Sequence, residues 1–245
     1  MKSLPFGQRF DLGSKFNPKG ARMRRATFED RIEIETGPHP DAAVIWLHGL
    51  GADGNDFVPV VGALNLPNTS IRFVFPHAPM RPVTVNAGYV MRAWYDILGL
   101  EIDRREDEEG VRDSSALVGG YVQRERARCV DAERVVLAGF SQGGAIALHA
   151  GLRAPARLAG IMALSSYLPL AGSLVAEASA VNRDVPVFMA HGTLDPVVPY
   201  RAGLRSRELL ERLDYGVEWH EYRIEHTVSL EEIADIGAWL RRVLA

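Results

Sequence analysis

Three side chains in the C-terminal half of the chain have the types, and stand in the order, that acyl transfer through a serine requires. Ser141 lies in the segment VVLAGFSQGGAIALHAGL, flanked at two residues on either side by Gly139 and Gly143. A serine hydroxyl is a weak nucleophile alone. It needs an imidazole to take its proton and a carboxylate to orient that imidazole. Downstream, Asp195 in HGTLDPVVP and His226 in IEHTVSLEEI supply these groups in the order Ser, Asp, His. The other candidates fit less well: Asp184 precedes a strand pattern, Asp214 joins a helix to a strand, and His220 falls inside a strand. His191 comes before Asp195 and suits a turn or a supporting position. Asp195 also suits a plain turn before Pro196, so the order of the three residues carries the assignment.

The tetrahedral intermediate of such a reaction needs two backbone N–H donors aimed at its oxyanion. One is the N–H of Gln142, next after the serine. The other is expected from a loop after an early strand, and the glycine-rich run that follows VIWL, residues 48–51, is placed to give it. Read as a phosphate loop, the same run lacks the terminal Lys-Ser/Thr.

These residues require a scaffold that brings strand ends together. Val135 to Phe140 is a continuous apolar run and Gly143 to Leu152 has helical composition, so Ser141 occupies the tight turn between a buried strand and a helix. Strands are predicted at 31–35, 42–47, 71–75, 135–140, 160–164, 185–190 and 217–222, most of them continuous apolar runs, the last alternating apolar and polar as expected nearer a sheet edge. Helical patterns fall at 116–128, 143–152, 201–213 and 230–244, the last opened by a capping box of Ser229 and Glu232. Strands buried on both faces and alternating with helices predict an α/β fold with a mostly parallel central sheet and helices on both faces.

A chain of 245 residues, 47% hydrophobic, forms a core large enough for one such domain. The net charge of -3 gives no basic field for nucleic acid, so the expected partner is a small molecule or an acyl group. Cys129 is the single cysteine, which leaves no internal disulfide, fits a reducing cytoplasmic compartment, and reads as a half-buried structural thiol. The uncharged stretches at 135–152 and 158–176 are broken by Gly, Ser or Pro and do not read as membrane spans. Residues 1–25 read as a basic, loosely packed arm, with Met23 opening a shorter working chain, and residues 26–245 as one domain. Around residues 80–114 the alternation breaks into a lid-like excursion. Its charged part, EIDRREDEEG, reads as a solvated loop. Trp94 and Leu98 in its apolar part, with Leu168 and Val198 near the other loops, are candidate walls of an acyl pocket.

The motifs LHGLGADGNDF, FPHAP, RAWYD, GFSQGG, LSSYLP and AHGTLDPVVP occur in this order from about Ala42 onward. In them the chain resembles the carboxylesterase and acyl-protein thioesterase family of serine α/β-hydrolases, in particular its bacterial carboxylesterases. The resemblance implies Ser141, Asp195 and His226 as a catalytic triad and the backbone amides of Leu50 and Gln142 as the oxyanion hole. It implies hydrolysis of carboxylic esters with short to medium acyl chains, with no metal and no cofactor. A thioesterase or lysophospholipase activity is the alternative, and a catalytically silent binding module is the reading from another class. A homodimer is compatible with the family. One departure is the histidine loop, Glu225-His226-Thr227 where the family often has Gly-His-Ser, which puts a carboxylate beside the base.

Overall fold

The computed structural model describes residues 23–67, 69–99 and 106–245. The strands are β1 (Arg24–Thr27), β2 (Arg31–Glu35), β3 (Ala42–Leu47), β4 (Ile71–Pro76), β5 (Met80–Val83), β6 (Tyr89–Arg92), β7 (Val135–Phe140), β8 (Gly160–Leu164), β9 (Val187–Gly192) and β10 (Val217–Tyr222). The helices are α1 (Glu108–Ala127), α2 (Gln142–Leu152), the short α3 (Leu174–Glu177), α4 (Tyr200–Arg212) and α5 (Leu230–Val243).

Eight strands form the main sheet in the order β1-β2-β4-β3-β7-β8-β9-β10. From β4 through β10 the pairings are parallel, and β1 and β2 close one edge antiparallel. Successive side chains of a strand point to opposite faces, which splits the core in two. Ala43, Ile45 and Leu47 of β3 pack with α1, α2 and α4 on one side, while Ala42, Val44 and Trp46 pack with α5 and the 58–63 turn on the other. The chain leaves β3 for β4 on one side and returns to β7 on the other. The crevice between the loops after β3 and β7 therefore lies at the switch point where open α/β sheets bind ligands.

The predicted strands and major helices are present, with several informative differences. The β9 strand runs to Gly192, two residues past the expected end, and starts at Val187 because Pro186 has no N–H to donate. The helix expected from 116 begins at Glu108: Asp107 caps it by accepting from the Gly110 N–H at 3.0 Å, and Glu108 and Glu109 complement the dipole of its first turn. That part of the charged segment is thus a helix start rather than a solvated loop, while residues 100–105 lie outside the described residues. The excursion also contains the antiparallel hairpin β5-β6. The proposed arm at 1–25 overlaps β1, where Arg25 pairs with Ile34; its first 22 residues lie outside the described ones. Cys129 is exposed, not half-buried, and takes a φ of 65° just past the end of α1.

The face of β2 opposite Ile32 and Ile34 is charged yet covered by α1. Glu125, fully buried, accepts from Arg72 at 2.7 Å and Arg128 at 3.0 Å. Arg72 also donates to Glu35, and Glu33 accepts from Arg31 and Arg128. Burial alone would raise the Glu33 pKa, but the hydrogen bonds from Arg128 and Arg31 outweigh it and the net shift is downward. A depressed carboxylate pKa stabilises the fold above the unfolded-state value, and this contribution disappears as pH falls through the folded-state value. Glu125→Ala strips one acceptor from each of two arginines and is expected to cost about 2 to 3 kcal/mol. Urea unfolding of the two proteins at pH 7 measures it, and a loss below about 0.5 kcal/mol would mean that water replaces the carboxylate.

Candidate active site

The turn from β7 to α2 holds Ser141 at φ 54° and ψ -121°, a backbone state rarely adopted by a residue with a side chain. Its N–H donates to the Leu164 carbonyl at 2.8 Å and its carbonyl accepts from Ser166 Oγ at 2.7 Å. Neighbouring backbone enforces the glycines. A Cβ on Gly139 would stand 2.3 Å from Gly143 backbone atoms, and one on Gly143 would stand 2.4 Å from the Leu47 carbonyl oxygen. Helix and strands approach so closely here that the serine is held at the rim of the sheet.

Asp195 and His226 meet over this turn. His226 Nδ1 lies 2.7 Å from Asp195 Oδ2, and the His226 ring stacks obliquely on Phe140, the residue before Ser141, with ring centroids 4.6 Å apart. The other carboxylate oxygen, Oδ1, accepts from the N–H groups of Val197 and Val198 at 2.8 and 2.9 Å. His191 Nε2 lies 3.5 Å from Asp195 Oδ2 and 3.0 Å from the Val198 carbonyl; burial lowers its pKa, so the neutral ring spends its proton on that carbonyl. The loop carrying His226 is pressed on the end of β9, where a Cβ on Gly192 would lie 2.5 Å from the Ile224 and Glu225 carbonyl oxygens. Glu225 itself is exposed.

The loop after β3 comes up beside the serine. A Cβ on Gly49 would be 3.5 Å from Ser141 Cβ. His48, buried and held neutral with its pKa lowered to about 4 by burial, pins this loop: Nδ1 is 2.7 Å from the Gly49 carbonyl and Nε2 accepts from the Ala78 N–H at 3.0 Å. Among the described residues the Leu50 N–H meets no acceptor. Gln142, as the first residue of α2, has an N–H without an intrahelical partner. The Gln142 N–H follows the serine directly, and the Leu50 N–H stands on the loop whose Gly49 lies beside it.

Residues 30–244 match the family model described as phospholipase/carboxylesterase. The chain belongs to that family. It is a hydrolase of the α/β-hydrolase fold, as the motifs implied. The acyl-protein thioesterase 1 of Neurospora crassa is 40% identical over 210 residues, 81% of this chain and 85% of the relative. That of Mycosarcoma maydis is 38% identical over 229 residues, 87% and 95%. Among solved structures, SOBER1 of Arabidopsis thaliana superimposes with a TM-score of 0.80 at 30% identity, covering 83% of this chain and 99% of that one. Among the described residues no helix is long and apolar enough to cross a membrane.

The four pocket candidates of this hydrolase divide by exposure. Leu98 is exposed, at 38%. Trp94 is fully buried, and its indole N–H donates to the His48 carbonyl at 2.8 Å. Leu168 is packed into the core beneath α4 with its N–H on Ser206 Oγ, and Val198 acts through its backbone, bracing Asp195 and His191. Sequence reasoning missed the side chains of His48 and Gln142, because a buried amide or imidazole that ties one loop to another leaves no periodic or spacing signal.

Proposed function

We propose that this hydrolase removes acyl groups from thioesters, protein-bound S-acyl groups foremost, through a covalent intermediate on Ser141. The observation that carries the serine mechanism is the Asp195-His226 pair standing over the β7-α2 turn. His226 takes the proton of Ser141 as the hydroxyl attacks the acyl carbonyl, and Asp195 holds the imidazole with Nδ1–H toward itself. The N–H groups of Leu50 and Gln142 receive the oxyanion. The imidazolium then protonates the leaving sulfur, and a water activated by the same imidazole releases the acid.

The choice of thioester over simple carboxylic ester rests on the relatives, both fungal proteins being named acyl-protein thioesterase 1 at 38 to 40% identity. The ester reading of the motifs becomes the secondary activity. A free thiol titrates at about 8.5, far below an alcohol, so departure of sulfur demands less of the general acid.

The test compares two peptides differing in one atom, an S-octanoyl cysteine and an O-octanoyl serine at the same position. We expect kcat/KM for the thioester to exceed that for the ester at least tenfold, with neither cleaved by Ser141→Ala. A ratio of one or less restores the ester reading, and lysophosphatidylcholine as a third substrate tests the lysophospholipase one.

A further inference from the structure

The Gln142 side chain lies beneath the site, 3% exposed, and makes two bonds with the geometry of a backbone pair. Its Oε1 accepts the Trp94 N–H and its Nε2 donates to the Tyr95 carbonyl, both at 2.7 Å. The Trp94 indole continues the path by donating to the His48 carbonyl at 2.8 Å, with the Trp94 and His48 rings 5.3 Å apart. This corner of the excursion is fixed from two more sides, by Ser114 Oγ on the Trp94 carbonyl and by Tyr167 on the Tyr95 hydroxyl at 2.7 Å. Leu50, two residues beyond His48, packs on Val83, Met91 and Ala93 of the hairpin region, and the Gly51 N–H donates to the Arg92 carbonyl at 2.8 Å.

The residue that offers one oxyanion donor is therefore wired by its own side chain, through Trp94, to the loop that offers the other. We propose that the Gln142 amide and the Trp94 indole N–H are positioning residues that set the separation of the Leu50 and Gln142 N–H groups. The excursion at residues 94–95 acts as the spacer between the two donors. Neither side-chain group touches the substrate. This proposal rests on the serine mechanism given above, since it assigns the supports of that mechanism's oxyanion site. Donors worth about a hundredfold or more in rate act only when aimed at the place the oxyanion will occupy, so a shift of either should be felt in the transition state and not in the bound substrate.

The experiment uses Gln142→Met, which keeps the backbone donor and the side-chain length but loses both amide bonds, and Trp94→Phe, which loses the indole N–H. For each, kcat and KM are measured on an S-octanoyl thioester. Inhibition is measured with octylboronic acid, which forms a tetrahedral adduct on the serine, and with an octyl thioether, which cannot. We expect kcat to fall about 10- to 100-fold with KM within threefold. The boronate inhibition constant should rise by a similar factor while that of the thioether stays within threefold. Unchanged kcat and boronate affinity would overturn the proposal. So would a loss shared equally by boronate, thioether and KM, which marks a general loosening of the site. If Gln142→Met does not fold, Trp94→Phe decides by the same comparison. Ser141→Ala separates the two levels: turnover surviving in that variant overturns the serine mechanism itself, whatever the positioning variants do.

Discussion

Asp195→Asn should lower kcat about 10,000-fold while the protein stays folded. The size of the effect follows from the way the carboxylate is held. One oxygen is fixed by the Val197 and Val198 N–H groups at 2.8 and 2.9 Å, and the other faces His226 Nδ1 at 2.7 Å. An asparagine must turn its carbonyl oxygen to the two backbone donors, which presents its NH2 group to His226. Nδ1 then has to accept, so the imidazole carries its proton on Nε2, the nitrogen that must receive the serine proton. The base is present and correctly placed but in the wrong tautomer. His191 cannot rescue it, because its Nε2 proton is on the Val198 carbonyl. Single-turnover kinetics on a thioester, with circular dichroism as the control for folding, measure the loss. A kcat within tenfold of the parent would mean that Asp195 does not set the tautomer and that the base is oriented by another group.

The geometry behind this effect was legible in the sequence only in part. The strands flanking the site were readable because strands buried on both faces must be apolar throughout, as in Val135–Phe140. Ser141 stood out because a hydroxyl between two glycines, where such a strand meets a helix, adds neither apolar surface nor helix stability. The loop positions of Asp195 and His226 followed from the order of the strands. What the sequence did not reveal were features set by tertiary contact. The early start of α1 was hidden by its acidic first turn, whose stabilisation comes from the dipole and the Asp107 cap instead of an apolar stripe. The β5-β6 hairpin is a short two-stranded piece outside the main sheet, and its Met80, Tyr89 and Val90 are exposed, so no alternating buried pattern marks it. Trp94 could be read two ways, since an aromatic near a motif can wall a cleft or fill the core, and its indole N–H on the His48 carbonyl is a tertiary contact that no sequence pattern encodes.

The glycine on the helix side of the turn gives the second large effect. Gly143→Ala should cost about 3 kcal/mol or more of stability, lower the melting temperature by roughly 6 to 12 °C, and reduce kcat beyond about a hundredfold. The added Cβ would stand 2.4 Å from the Leu47 oxygen and 2.6 Å from the His48 oxygen. Both are backbone atoms, one at the end of β3 in the middle of the sheet, so no rotamer change relieves the clash. Relief requires α2 to move away from β3. That movement separates the two loops on which the Gln142 and Leu50 donors stand, so stability and rate fall for one reason. Gly119→Ala in α1 is the internal control. Its Cβ would meet nothing within 4 Å, and an alanine in a helix interior is favoured over glycine by about 0.5 to 1 kcal/mol, so this variant should be slightly more stable and fully active. Thermal unfolding and kcat for both variants decide the matter. A Gly143→Ala protein within about 1 kcal/mol of the parent would show that the turn can open, and the close packing of α2 on β3 would then not be what holds Ser141 at the rim.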